Sequence, residues 1–168
     1  MENALAESIV HGLREAGVNF ITYLPETRLI QILPLLQKDD SFKLVPVSSE
    51  AEGISIAAGA ALVGKQPACY MEGTGIFVSA YNLLLVGVRV GVPMLLLVSY
   101  VGSFADQRNS FRFAPTGITI ESQLKTLGIQ YEILENGEDL GTKIKDAARM
   151  MNALKLPVAL LFTGDFTL

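Results

Sequence analysis

The chain has 168 residues, half of them hydrophobic and only 18% charged, with 13 Lys and Arg against 17 Asp and Glu for a net charge of −4. That length predicts one domain over residues 1–168; the acidic balance gives no electrostatic footprint for nucleic acid, and a single cysteine, Cys69, excludes a disulfide framework or a thiolate metal cluster. A mean hydropathy of +0.39 predicts that a partner as well as folding hides apolar surface.

The opening MENALAESIV carries acids and no basic region, so no signal peptide is expected and a cytoplasmic location is the default. Leu5, Ile9, Val10 and Leu13 make a helical stripe over residues 3–16, ended by Gly17. The lone His11 on it has no acid or nucleophile clustered beside it and reads as surface or packing. A strand is predicted over 18–24, and Pro25-Glu26-Thr27 then turns into a helix reaching residue 38, with Pro34 marking a kink or break. A second strand covers 44–47. The helix over 49–63 has Ser49 as N-cap and Glu52 placed to close a capping box on the cap's N–H. Glu50 differs: from position 53 to 63 the helix holds only Gly, Ala, Ile, Leu and Val apart from Ser55. An acid at its head is thus led into a buried region, where a carboxylate needs a partner. The plainer alternative is an acid serving only the helix dipole.

Gly64-Lys65-Gln66-Pro67 is a turn and 68–71 the third strand, with Gly73-Thr74-Gly75 at its carboxyl end before a helix over 76–89. Open α/β sheets bind ligands at such strand ends, although glycine there serves backbone geometry as readily as ligand approach. Residues 76–101 hold one charge, Arg89, and exceed the roughly 20 apolar residues of a membrane span. Gly87, Gly91 and Pro93 interrupt them, and a helix followed by a buried strand over 94–98 fits the flanking alternation, so no span is expected. Residues 100–117 form a loop long enough to be functional, holding Asp106, Gln107, Arg108, Asn109 and Arg112. A short helix (120–127), a fifth strand (130–134), an amphipathic helix (138–154) and a last strand (157–162) complete an α/β pattern.

Glu50-x8-Gly59, then a lysine turn, an apolar strand and Gly73-Thr74-Gly75, resembles the pyrimidine-binding domain of thiamine diphosphate enzymes. Leu24-Pro25-Glu26, Gly91-Val92-Pro93 and Leu127-Gly128-Ile129 extend the resemblance over nearly the whole chain. Within the family it is most similar to the alpha subunits of sulfopyruvate decarboxylases and the corresponding half of phosphonopyruvate decarboxylases. The resemblance implies a three-layer, doubly wound, mostly parallel six-stranded sheet with helices on both faces. It implies that Glu50 hydrogen-bonds the N1′ nitrogen of the cofactor's aminopyrimidine, that Gly73, Thr74 and Gly75 let backbone approach that ring, and that Pro25 and Glu26 stand nearby. An acid in apolar surroundings can share a proton with a ring nitrogen, which the family uses to activate thiamine diphosphate toward a small 2-oxo acid.

In the family the diphosphate and Mg²⁺ sit on a second domain that opens with Gly-Asp-Gly, a motif that Gly164-Asp165-Phe166 does not match. No metal site is expected on this chain, and a beta subunit carrying the diphosphate and Mg²⁺ is expected to complete the active site in a homo- or hetero-oligomer. Members acting on sulfonated or phosphonated substrates tend to carry basic residues or histidine soon after the fourth strand; here Tyr100-Val101-Gly102 stands instead, and the nearest cations are Arg108 and Arg112, either able to meet an anionic group in a bidentate contact. Two other readings use the same residues: a thiamine diphosphate carboligase or oxidase component, and a non-catalytic ligand-binding or assembly module that keeps the fold.

Overall fold

In the computed structural model, which describes residues 1–168, six strands form one sheet. They are β1 (Phe20–Tyr23), β2 (Lys43–Pro46), β3 (Pro67–Glu72), β4 (Leu95–Ser99), β5 (Gln130–Leu134) and β6 (Val158–Phe162). The order is β2-β1-β3-β4-β6-β5, and every pairing is parallel, where the resemblance implied a mostly parallel sheet. α1 (Asn3–Glu15) precedes the first strand. Parallel strands need crossovers, and the other helices supply them: α2 (Ile32–Gln37), α3 (Glu50–Leu62), α4 (Thr74–Val78), α5 (Ala80–Asn82), α6 (Ala114–Leu127) and α7 (Leu140–Leu154).

The central strands read as unbroken apolar runs because both faces are covered. Alternation still sorts their side chains. Ala68, Tyr70, Leu95 and Leu97 join the core beneath α1, α2 and α7. Cys69, Met71, Leu96 and Val98 join the one beneath α3 and α6.

Three predicted elements change length, each for a local reason. The helix predicted up to residue 38 is only α2, because the Glu26 carboxylate takes the N–H groups of Arg28 and Leu29 and holds 26–29 as a turn; Pro34 falls in the first turn of α2, where a missing N–H costs little. The helix predicted over 76–89 is broken: α4 stops at Ser79, whose hydroxyl donates back to the Gly75 carbonyl, a bond that bends helices. The chain resumes as α5 and then a π-helical segment, Leu83–Arg89. The loop predicted over 100–117 closes at residue 113, since α6 starts at Ala114 with Pro115 in its first turn. No helix is long and apolar enough to cross a membrane.

From β1 the chain winds toward β2 at one edge, and from β3 it winds the other way toward β4. This reversal opens a crevice at the carboxyl ends of β1 and β3, where ligands bind in open α/β sheets.

Candidate functional site

Three local choices place Glu50 beside that crevice. Ser49 is extended, and its Oγ accepts the Glu52 N–H at 3.3 Å to cap α3. The Glu52 carboxylate doubles back to the Ser48 N–H at 2.7 Å, one residue earlier than the cap N–H that the sequence predicts. Next, Gly53 lets the helix settle on β1. A Cβ there would stand 3.3 Å from Thr22 Oγ1 and 3.4 Å from Val47 Cγ2, and the Thr22 hydroxyl donates to the Gly53 carbonyl at 3.2 Å. The third choice is Gly75, where a Cβ would fall 2.5 Å from Glu50 Cγ, 3.1 Å from its Cδ and 3.0 Å from Met71 Sδ.

The Glu50 side chain therefore lies across bare backbone at Gly75. Glu50 is half-buried, and its carboxylate joins no ion pair of this chain. The capping hydrogen bonds around it belong to Ser48, Ser49 and Glu52. An acid that served only the helix end would have no need of a glycine beneath its side chain.

Gly73 and Thr74 hold the same turn from the other side. The Gly73 N–H donates to the Ser99 carbonyl at 3.0 Å, and a Cβ on it would come within 3.2 Å of that oxygen and of Ile120 Cδ1. The Thr74 hydroxyl donates to Glu72 at 2.9 Å. Glu72, half-buried at the end of β3, is a second acid at this turn; sequence reading passed over it, although an acid directly before Gly73-Thr74-Gly75 was visible there.

Glu26 has a different occupation. Its Oε1 accepts from the Leu29 N–H at 2.6 Å and from the Tyr70 hydroxyl at 3.0 Å, and its Oε2 accepts from the Arg28 N–H at 2.7 Å. Burial, and then the neighbouring carboxylate, push the Tyr70 phenol above its ordinary range. Both oxygens of Glu26 thus fix the turn that Pro25 begins, and Glu26 itself is buried.

The two arginines after β4 also separate. Arg108 donates from Nε to the Thr167 carbonyl at 2.7 Å and from its guanidinium to the Thr27 carbonyl at 3.1 Å, so it ties backbone to backbone. Arg112 is exposed and takes part in no ion pair. Beneath them lies a pair the sequence did not reveal: Arg28 meets Asp106 at 3.3 Å, with side chains 6% and 0% exposed.

Residues 3–114 match the model of the thiamine pyrophosphate enzyme family, N-terminal TPP binding domain. The chain belongs to that family. It is 31% identical over 162 residues to the sulfopyruvate decarboxylase subunit alpha of Methanocaldococcus jannaschii, covering 96% of this chain and 94% of that one. It is 28% identical over 157 residues to the subunit of the same name from Methanococcus maripaludis, covering 93% and 92%. Among solved structures, 2-oxoglutarate:ferredoxin oxidoreductase from Magnetococcus marinus superposes with a TM-score of 0.77 at 16% identity, a likeness of fold. That match covers 97% of this chain and 29% of the other, so the chain spans under a third of that longer protein.

Within this TPP binding domain, Glu50 and Gly75 are the predicted site residues that the structure brings into direct contact. No group of three or more His, Cys, Asp or Glu side chains converges as a metal site. The elements α3, α4, α5 and the π-helical segment pack on one another and leave Leu62, Val63, Val78, Tyr81 and Val90 exposed along them and at their ends.

Proposed function

We propose that this chain is the pyrimidine-binding subunit of a thiamine diphosphate-dependent decarboxylase acting on a small 2-oxo acid of the sulfopyruvate class. A second subunit would supply the diphosphate and Mg²⁺ site. The alpha-subunit names of two relatives matched along nearly their whole length support both parts. The observation that carries the reading is the half-buried Glu50 carboxylate, left without an ion-pair partner over the bare backbone of Gly75.

These residues fit the cofactor's aminopyrimidine. The bare backbone of Gly75 makes room for the Glu50 side chain itself, which would hold the carboxylate at the turn where the ring nitrogen is expected. Glu50 would hold the ring nitrogen through its carboxylate and share a proton at that oxygen. Gly73 and Thr74 would keep the turn in place, anchored on Ser99 and Glu72. When bound, thiamine diphosphate supplies the electron sink for loss of carbon dioxide. The protein's task is orientation and proton placement, and Met71 and the apolar length of α3 keep water from the inner side of Glu50. The exposed apolar side chains Leu62, Val63, Val78, Tyr81 and Val90 would seat the second subunit.

The test is Glu50→Gln in the complex reconstituted with the subunit that carries the Gly-Asp-Gly domain. An amide keeps size and hydrogen bonding but cannot share the proton, so turnover should fall by about 10²-fold or more with folding and assembly unchanged. A fully active Gln variant overturns the reading.

A further inference from the structure

Seven of the buried polar side chains gather at the carboxyl ends of β1, β4 and β6: Glu26, Arg28, Ser99, Ser103, Asp106, Thr163 and Thr167. Arg28 stands at their centre. It sits in the turn after β1 yet reaches past the end of β3 to the loop after β4, because β3 lies between β1 and β4 in the sheet. There it pairs with Asp106 at 3.3 Å, donates to the Arg108 carbonyl at 3.0 Å and lies over the Phe113 ring at 4.8 Å.

Asp106 is the matching hub. One carboxylate oxygen takes the Gly102 N–H at 2.8 Å as well as Arg28, and the other takes the Arg108 N–H at 3.1 Å. Gly102 in turn is pressed onto α6, with positive φ and so little room that a Cβ would overlap the Phe113 carbonyl. On the other side of this base, Val101 Cγ2 and the Ser99 carbonyl form the wall against which Gly73 rests. A buried ion pair is a poor source of net stability, since two desolvated charges cost about what their attraction returns. Its value lies in fixing one geometry.

We infer that Arg28 and Asp106 are positioning residues: their buried pair is a strut that holds the loop of residues 100–113 as a rigid wall of the substrate crevice. This rests on the proposed decarboxylase reading for what the crevice binds, but the rigidity itself is a property of this chain alone. The strut ties the first-strand turn to the fourth-strand loop past the end of β3, so the exposed Arg112 and Phe111 are presented by a fixed loop.

Two readouts test it. The first is limited trypsin digestion of the chain, followed at Arg112. Arg28→Met should speed cleavage there by about tenfold or more, because an opened loop becomes a substrate for the protease. The paired variant Arg28→Met with Asp106→Asn, which removes both buried charges and keeps an amide oxygen for the Gly102 N–H, should fold as the parent does and still be cut faster. The second is steady-state kinetics of the reconstituted complex: in the paired variant KM for the 2-oxo acid should rise by about tenfold while kcat and the thiamine diphosphate affinity stay within about threefold. Unchanged cleavage in the folded paired variant overturns the strut. Faster cleavage with unchanged KM overturns its positioning role. A parent complex that turns over no 2-oxo acid would instead overturn the function proposed above, and the digestion would still decide whether the strut exists.

Discussion

Glu50 and Gly75 constrain each other, and that makes Gly75 the sharper probe of the pair. A methyl group at position 75 would fall 2.5 Å from Glu50 Cγ and 3.0 Å from Met71 Sδ. Gly75 has a helical backbone that any residue adopts, so Gly75→Ala should leave the fold intact and displace the acid. Cofactor affinity of the assembled enzyme, measured by calorimetry, should fall by about tenfold or more, and unchanged affinity would mean that Glu50 does not need this seat. Tyr70→Phe probes the Glu26 turn: losing the hydroxyl that donates to a buried carboxylate should cost about 1–3 kcal/mol in urea denaturation. Glu121 gives a pH signature. The Tyr131 and then the Tyr100 hydroxyl donate to its carboxylate and hold it below the usual glutamate value of 4.5. Its native pKa is depressed, so its contribution is complete above the unfolded value and is lost as pH falls through the native one. Tyr100→Phe with Tyr131→Phe should therefore flatten the loss of stability as pH falls below the unfolded glutamate value.

At the scale of elements, what could be read from the sequence was whatever rests on local chemistry. The strands were legible from short apolar runs between turn residues, and α3 from Ser49 and Glu52 at its head. The break at Ser79 was not, because Leu83 to Arg89 has the apolar content of an ordinary helix. The π-helical stretch also packs on a distant residue: a Cβ on Gly87 would meet Pro157 Cγ at 2.6 Å, so the segment lies tight against the entry to β6. Gly87→Ala should accordingly destabilise the domain by about 1–3 kcal/mol through overpacking, read as a lower urea midpoint with unchanged slope. Glu26 shows the same limit. Proximity to the cofactor was implied by resemblance, but its two oxygens are engaged by Arg28, Leu29 and Tyr70, one of them 44 residues away. The Arg28–Asp106 pair, 78 residues apart, left no trace in spacing at all.

Across the whole molecule, the high apolar fraction resolves into two cores and a set of exposed side chains, several of them on the helices that cover the Glu50 face. α1, α2 and α7 cover one face of the sheet and expose Met150 and Leu154 of α7, whereas α3 to α6 and the π-helical segment cover the other and leave Leu62, Val63, Val78, Tyr81 and Val90 in solvent. The larger number of exposed apolar side chains on the Glu50 face is the physical reason to expect a partner there. Most of the candidate site was legible as residue types in order, since Glu50 heads an apolar helix and glycines follow the next strand. Their contact through Gly75, and the division of labour between Arg108 and Arg112, come only from the fold. The central claim is that Glu50 and Gly75 form one half of a thiamine diphosphate site. It is tested most directly by calorimetric titration of thiamine diphosphate with Mg²⁺ into this chain alone, and into its mixture with the subunit carrying the Gly-Asp-Gly domain. The account expects saturable binding only in the mixture, weakened by Glu50→Gln. Absence of binding in the mixture, or binding that ignores Glu50, would contradict it.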